Sequence, residues 1–226
     1  GLEPRAARLA WILGSVAWAV DVWLVRWSAS GMEIAFALVL LLAGLIADWR
    51  TDPPARSALA PAIWWGVASL ARPEMGLLVA LLALRSALGP GPLAARVRQI
   101  GVAVLPAALV NGAWLAYAAS FYGTVLPATF RSKAAEHTPP LQNLLIQAQE
   151  MGADRGVEIL AILALLPLLA AALRRDWRAH LVPVGWIVLI PLFYASVRIL
   201  GVTRYMLAIA PLLACYGWAA LALWAG

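Results

Sequence analysis

Apolar runs dominate this sequence and limit what it can fold into. Eight of them follow one another, at 9–26, 33–48, 57–71, 75–88, 99–119, 157–173, 181–197 and 205–224. A helix needs about 20 such residues, with a range of about 17–25, to cross the hydrocarbon core of a bilayer. Only 12% of the 226 residues are charged, whereas a soluble domain has about 25%. The sequence predicts an all-α, polytopic transmembrane helix bundle of about eight membrane helices, forming a single transmembrane domain over residues 1–226.

Two of the runs, 57–71 and 75–88, are short and flank the stretch ARPEMG. Fourteen residues reach only about 21 Å as a helix. Either these helices extend into their polar flanks, or the turn between them lies below the membrane surface, or the two form a re-entrant hairpin. A re-entrant hairpin would remove two spans together, so the sidedness of the other loops is the same in all three cases.

Basic residues in the loops predict the orientation. With a cytoplasmic N-terminus, ten of them fall in inner segments and seven in outer ones. Four of the inner ones lie in tight clusters within short loops, as the positive-inside rule expects. This orientation places residues 120–156 outside as one longer extracytoplasmic loop, on the same side as the turns SASGME and ARPEMG.

The outer loop contains PPLQNLLIQAQEM. After a proline pair suited to a helix start, its apolar residues follow helical spacing; they are Leu141, Leu144, Leu145 and Ala148. This pattern predicts an amphipathic helix at the membrane interface.

Several kinds of chemistry have no support in the sequence. His137 and His180 fall on opposite faces of the predicted membrane, so no histidine cluster has metal-ligand spacing. No P-loop, nucleophile elbow or zinc motif is present, and Cys215, the only cysteine, cannot form an internal disulfide. The sequence predicts no metal site and no cofactor, and it leaves a divalent cation open. It gives no indication of nucleic-acid binding.

Two carboxylates and an arginine lie at the predicted outer face. Glu33 is in the first turn of a membrane helix, where it complements the helix N-terminus; capping and a functional role are equal alternatives. Arg72 and Glu74 lie where two apolar runs meet, and charge at membrane depth is costly unless it is paired or functional. An ion pair between them would be a sufficient explanation, but the short flanking helices favour a sunken polar cavity.

Cations and hydroxyls gather in two further outer stretches. FYGTVLPATFRSK contains Tyr122, Arg131 and Lys133, the only lysine, and VRILGVTRYM contains Arg198 and Arg204 around a very short turn. Lipid headgroups would explain these cations, and so would a phosphate, because arginine offers a bidentate fork and lysine a point charge. A lipid-linked phosphate substrate at the outer face fits all of these stretches.

Four motifs in this order resemble those of the GT-C superfamily of glycosyltransferases. WSASGMEIAF is similar to a helix start of the form S-(T/S)-G-(L/M)-E-x-x-x-F, and LARPEMGLLVALLAL to a TRPEG turn followed by an apolar helix. FYGTVLPATFRSK is similar to a YYG-x-x-x-PNT-x-x-AK loop, and TRYMLAIAPLLA to a closing RYLLPLLPLL helix. The set covers about residues 25–215 and resembles the bacterial mannosyl-, arabinosyl- and related transferases that use polyprenyl-phosphate sugars.

The resemblance implies an inverting glycosyltransferase of the bacterial plasma (inner) membrane. It would transfer a sugar from a polyprenyl-phosphate donor to a glycan, lipid or protein acceptor at the extracytoplasmic face. Glu33, Arg72 and Glu74 would line the catalytic cavity. A base would remove the acceptor hydroxyl proton as that oxygen attacks the anomeric carbon, and cations would stabilise the departing lipid phosphate. Contacts to donor phosphate or sugar would come from Tyr122, Arg131, Lys133, Arg204 and Tyr205, together with Arg198.

The sequence departs from the family pattern at several points. The usual catalytic Asp belongs to a first outer loop, expected upstream of Gly1, and no motif identifies Asp21 as a substitute. Ala128 stands where the family often has Asn, and Ser132 where it often has Ala. The 226-residue chain alone is therefore expected to be an inactive core of a longer enzyme.

Two other functions fit the same outer cations: a non-enzymatic transporter or flippase for a polyprenyl-linked lipid, and a structural membrane subunit. A transporter should carry polar groups on both sides of its path, often with internal pseudo-symmetry. In this sequence the unusual charges gather at one face, and Asn111 is the one clearly polar side chain deep in an apolar run.

Overall fold

A computed structural model describes residues 25–26, 29, 33–50, 58–125, 138–152, 162, 164–165, 177–197 and 206–224. Every regular element in these ranges is helical, which confirms the all-α prediction for this part of the chain. The predicted helices at 9–26 and 157–173 lie largely outside it. The α-helices are α1 (Ile34–Arg50), α2 (Leu59–Ala71), α3 (Gly76–Ala87), α4 (Leu93–Tyr122), α5 (Pro140–Gly152), α6 (Trp177–Ser196) and α7 (Ala210–Trp224), and Pro73–Met75 forms a 3-10 turn.

Two of these helices, α4 with 30 residues and α6 with 20, are long and apolar enough to cross a membrane. α4 begins at Leu93, earlier than the predicted 99, and includes Arg96 and Arg98. α6 likewise begins at Trp177 and includes Arg178. Leucine, alanine and arginine are all good helix formers, so these helices continue beyond the apolar run that predicts them.

The two short helices remain short. α2 has 13 residues and α3 has 12, so each is only about 18–20 Å long. Both stop at the ARPEMG turn, so the predicted alternative in which they extend into that polar flank is wrong. A turn below the membrane surface and a re-entrant hairpin both fit these lengths.

Contacts group the chain into two compact units. The first holds residues 33–136 and 181–186, and the second holds 1–32, 137–180 and 187–226. The single domain over residues 1–226 stays a prediction.

Small residues let the helices of the first unit approach closely. A Cβ at Gly66 in α2 would lie 2.9 Å from the Cα of Ala107 in α4. A Cβ at Gly44 in α1 would lie 2.6 Å from Cδ1 of Trp65 in α2, and the indole of this fully buried Trp65 donates to the carbonyl of Leu41 at 3.2 Å. Close backbone packing of this kind is how apolar helices associate where water supplies no hydrophobic drive.

The same contacts fix the direction of α2 against α4. Gly66 lies against Ala107, and three residues further along α2 Ser69 is bonded to Asn111, four residues further along α4. The two helices therefore run parallel, with each residue of α2 level with the residue of α4 about 41 or 42 positions later.

The other two helices run the opposite way. In α4, Arg96 donates through Nη1 to the carbonyl of Ala87, at 3.4 Å, so α3 is antiparallel to α4. Arg85 in the last turn of α3 pairs with Asp48 in the last turn of α1. The four helices thus have one end that carries the Pro73–Met75 turn and the start of α1, hereafter the turn end, and an opposite end with the Asp48–Arg85 pair.

Helix α5, in the second unit, begins at Pro140 as the proline pair predicts. Two of its leucines are exposed, Leu141 at 71% and Leu145 at 58%, whereas Leu144 is half-buried. The buried residues of α5 are instead the carboxamides Asn143 and Gln147. The helix is present where the sequence predicts it, and its location at a membrane interface stays a prediction.

The two carboxamides of α5 bond to the end of α6. Asn143 Nδ2 donates to the carbonyl of Tyr194 at 3.0 Å, and Gln147 Nε2 donates to the carbonyl of Pro191 at 3.3 Å. The last four carbonyls of a helix have no backbone partner within it, and Tyr194 is one of these four in α6, which ends at Ser196. Asn143 therefore caps one end carbonyl of α6, whereas the carbonyl of Pro191 lies inside the helix.

Candidate functional site

The turn between α2 and α3 follows from its sequence. Arg72 precedes Pro73, and the proline ring disfavours helical backbone at the preceding residue. Arg72 is extended, with φ −143° and ψ 111°, and α2 ends just before it. Pro73 opens the 3-10 turn, where its missing N–H costs nothing, and Gly76 then starts α3.

Arg72 and Glu74 form an ion pair inside this turn. Nε of Arg72 donates to Oε1 of Glu74 at 2.5 Å, and the two side chains are only 5% and 9% exposed. The structure thus brings together two of the three residues predicted to be catalytic. Desolvating a buried pair is costly and often cancels its attraction. This one joins residues two positions apart in the same turn, so it does not tie one helix to another.

The pair is recessed below the end of α4. The register of α2 on α4 puts Arg72 level with about residue 113 or 114, whereas α4 continues to Tyr122. The last eight or so residues of α4 therefore rise about 12 Å above the turn. Gly123 ends the helix in a left-handed conformation, with φ +68°. A turn below its surroundings is what the sequence predicts here.

The overhanging part of α4 carries a surface of four rings, here called the aromatic ledge: Trp114, Tyr117, Phe121 and Tyr122. They are between 47% and 69% exposed. The rings of Tyr117 and Phe121 are nearly parallel, 13° apart with centroids 5.5 Å apart. Tyr122 stands edge-on to both, at 90° to Tyr117 and 79° to Phe121.

Glu33 lies at the same end of the unit. It is exposed, and its carbonyl accepts from the N–H of Ala37 at 2.9 Å in the first turn of α1. Its position fits the predicted carboxylate at a helix N-terminus. The structure therefore places Glu33 in contact with solvent, and Arg72 and Glu74 in the buried turn.

Of the residues predicted to contact donor phosphate or sugar, the structure describes Tyr122, which belongs to the aromatic ledge. The predicted contacts that lie outside the described residues are Arg131, Lys133, Arg198, Arg204 and Tyr205.

A second buried ion pair was not predicted. Arg85 donates to both carboxylate oxygens of Asp48, through Nη1 to Oδ2 at 2.5 Å and through Nη2 to Oδ1. Arg85 is one of the basic residues that the predicted orientation assigns to an inner loop, and Asp48 ends an apolar run. The sequence feature that could have predicted this pair is the presence of opposite charges in two apolar runs, 33–48 and 75–88.

A polar cluster lies between the two ion pairs. Asn111 donates through Nδ2 to Oγ of Ser69 at 2.7 Å and to the carbonyl of Ala107 at 2.8 Å, and Ser69 Oγ donates to the carbonyl of Gly66 at 2.6 Å. The one polar residue noted deep in an apolar run is thus an interhelical hydrogen-bonding group, of the kind that joins membrane helices.

Within the described ranges, no group of three or more His, Cys, Asp or Glu residues could hold a metal ion. No protein-family profile, curated protein sequence or solved structure matches the chain. The function is therefore inferred from the site geometry and the sequence motifs.

Proposed function

We propose that this chain is the membrane-embedded core of a glycosyltransferase that takes a sugar from a polyprenyl-phosphate donor at the extracytoplasmic face of a bacterial plasma membrane. In this proposal it is a polytopic bundle of about eight helices, and the acceptor is a glycan, lipid or protein. The observation that carries the proposal is the buried Arg72–Glu74 pair, recessed below the end of α4. The ordered resemblance to GT-C motifs supports it.

Exposed apolar surface supports the membrane setting. In α1 one face is buried and the opposite face exposes Phe36, Val39, Ile46 and Trp49. In the most apolar window of α4, only 11% is buried. Soluble monomers rarely expose contiguous apolar patches larger than a few hundred Å², whereas lipid is a favourable surrounding for such faces.

The two ends of α4 support the proposed orientation. Arg96 and Arg98 lie in its second turn, and the aromatic ledge lies in its last three turns. From Arg98 to Tyr117 the helix rises about 29 Å, close to the thickness of the hydrocarbon core. Clustered arginines mark a cytoplasmic end, so in this proposal the turn end faces outward.

The recessed pair fits a leaving phosphate better than proton transfer. Arg72 donates through Nε to Glu74. Arginine suits phosphate because its planar guanidinium matches two phosphate oxygens, so a phosphate would compete with the groups that Arg72 contacts. Cationic donors near the leaving oxygen stabilise the charge that develops as the glycosidic bond breaks. Glu74 already accepts from Arg72, so the exposed Glu33 is the better placed carboxylate for removing the acceptor proton.

A transporter or flippase for the same lipid is the second candidate, and one observation favours it. Buried polar groups lie at both ends of the first unit and between them: Arg72–Glu74, Ser69–Asn111 and Asp48–Arg85. The interpretation that unusual charge gathers at one face is therefore wrong for the buried residues. Each of these groups is engaged within the protein, as a structural lock would be.

Binding of the donor tests the proposal. The protein in nanodiscs is titrated with a short-chain polyprenyl-phosphate mannose, the arabinose equivalent and the parent polyprenol, and bound ligand is counted by native mass spectrometry. We expect saturable binding of the phosphate-bearing lipids, weakened in Arg72→Lys because lysine lacks the fork. Arg98→Gln, an exposed arginine at the opposite end of α4, is the matched control and should bind as wild type.

If the parent polyprenol bound equally well, the protein would not recognise the phosphate, and this part of the proposal would be wrong. Sugar transfer in native membranes then separates the two candidates. An enzyme transfers labelled sugar to an acceptor. A flippase instead moves labelled lipid between leaflets without breaking its glycosidic bond.

A further inference from the structure

The aromatic ledge faces the recess rather than the outside of α4. Trp114, Ala118 and Phe121 continue the i+3/i+4 series that begins with Ala103 and Ala107, and such a series follows one side of a helix. Ala103 and Ala107 are buried on the side that packs against its neighbours, and Ala118 among the rings is buried too. The rings are exposed because α2 and α3 end below them.

The other side of the same turns carries no rings. It is formed by exposed small residues: Gly112, Ala116, Ala119 and Ser120. Aromatic side chains that anchor a helix at the interface between headgroups and acyl chains would be expected to face the lipid. Here they lie on the side of α4 that packs against α2, beyond the end of that helix, which favours a ligand on this side over a lipid anchor.

We propose that the aromatic ledge binds a sugar ring above the recessed ion pair. This rests on the proposed function and names the substrate part that the ledge recognises. A sugar in its ring form has a face of polarised C–H groups, which are attracted to the negative face of an aromatic ring. Tyr117 and Phe121 present nearly parallel faces at the spacing of neighbouring rings, 5.5 Å.

The two tyrosines of the ledge add hydroxyl groups, which an acyl chain could not hydrogen-bond. The phenol hydroxyls of Tyr117 and Tyr122 can both donate to and accept from sugar hydroxyls. Tyr122 stands perpendicular to Tyr117, with ring centroids 6.2 Å apart, so it forms a side wall to the stacked pair. Charged groups that would suit a phosphate lie below, in the turn, so the sugar would sit above and the phosphate below.

Saturation-transfer difference NMR tests this without turnover. The protein in nanodiscs is irradiated at its aromatic protons in the presence of methyl α-mannopyranoside or methyl α-arabinofuranoside, with glycerol as the negative probe. We expect saturation on the ring C–H protons of at least one glycoside. Binding in the double variant Tyr117→Ala with Phe121→Ala should be weakened about two- to tenfold.

Two further variants control the measurement. Leu109→Ala removes an exposed apolar side chain from the outward side of α4 and should leave the saturation unchanged. Phe121→Trp keeps an aromatic face and should bind as wild type even if Phe121→Ala unfolds the helix end. A loss in Phe121→Trp equal to that in the double variant would overturn the stacking assignment.

The outcomes separate this inference from the proposed function. Saturation of lipid protons alone, with none on either sugar, overturns the inference and identifies the ledge as a lipid anchor. Normal donor binding and transfer with no effect of the ledge variants overturns it while the proposed function stands. Ledge-dependent saturation with donor binding that does not depend on Arg72 supports the inference and counts against the proposed function.

Discussion

The two buried ion pairs of the first unit differ in what they connect. Asp48 and Arg85 are 37 residues apart in sequence and share two hydrogen bonds, which join α1 to α3. Arg72 and Glu74 are two residues apart, share the Nε–Oε1 bond and lie in one turn. The first pair closes a long loop, and its removal would free two helices. The bond between Arg72 and Glu74 joins neighbours in one turn and by itself closes no long loop.

This difference separates a structural pair from a functional one. A bidentate pair has fixed geometry and leaves little room for a third partner. Arg72 and Glu74 share the Nε–Oε1 bond, which is a less fixed geometry than a fork. The Arg72–Glu74 pair also lies below an exposed surface at the turn end. We therefore expect substitutions at Asp48 to change mainly the free energy of unfolding. Substitutions at the turn end should change mainly ligand binding or sugar transfer.

Asp48→Leu should have the largest effect on the free energy of unfolding. It leaves Arg85 buried without its carboxylate, which costs about 3–5 kcal/mol. Thermal unfolding in detergent or nanodiscs measures it, with the exposed Arg50→Gln as control. The double variant Asp48→Leu with Arg85→Met should recover most of the loss, because two apolar side chains replace the pair. No recovery would mean that the pair does more than hold α1 on α3.

Glu74→Gln should lower the free energy of unfolding by less than Asp48→Leu does, and it should strengthen phosphate binding. Loss of a hydrogen bond between charged groups lowers stability by about 1.5–3 kcal/mol. Arg72 also loses its resident anion, so binding of a lipid phosphate should tighten. Unfolding with and without polyprenyl phosphate measures both effects, since a ligand that binds the folded state raises its stability. Weaker binding in this variant would show that Glu74 orients Arg72 rather than competes for it.

Asn111→Leu tests the cluster between the two pairs. Interhelical hydrogen bonds in membrane proteins contribute about 0.6 kcal/mol on average and up to about 1.7, so a loss in that range is expected. A double-mutant cycle with Ser69→Ala isolates the contact between the two side chains. A coupling energy near zero would show that the hydrogen bond of Asn111 to the Ala107 carbonyl in its own helix accounts for the effect.

Glu33→Gln should have the smallest effect on stability, within about 0.5 kcal/mol, because the side chain is exposed. Its effect on sugar transfer in native membranes should be large, about 100-fold or more if it removes the acceptor proton. Donor binding should be unchanged. Transfer at the wild-type rate would assign Glu33 to helix capping alone.

Hydropathy predicts the fold of the described residues well. The runs at 33–48, 57–71 and 75–88 match α1, α2 and α3 to within two residues, because a short turn or a proline bounds them. The start of α4 was missed because Leu93, Ala94, Ala95 and Arg96 favour a helix whether or not they are buried. Among the described helices, α4 and α6 are long and apolar enough to cross a membrane, so the eight-span bundle stays a prediction.

The site was predictable where local sequence decides it. Arg72 before Pro73 fixes an extended residue and a turn, and the adjacent glutamate is within reach of the arginine. The Asp48–Arg85 pair and the overhang of α4 depend on how helices dock, and no local pattern carries that register. The inward side of the aromatic ledge is visible in the spacing of Trp114 and Phe121 only once Ala107 is known to face α2.

The bonds between α5 and α6 also set an order of events during synthesis. Asn143 reaches its acceptor at Tyr194, 51 residues later in the chain. At about 5–20 residues per second, the ribosome makes that acceptor about 3–10 s after the donor. A helix of 13 residues is marginal by itself in water. α5 therefore leaves the ribosome seconds before its partner exists, and its buried carboxamides must be held by water, lipid headgroups or the insertion machinery until α6 arrives.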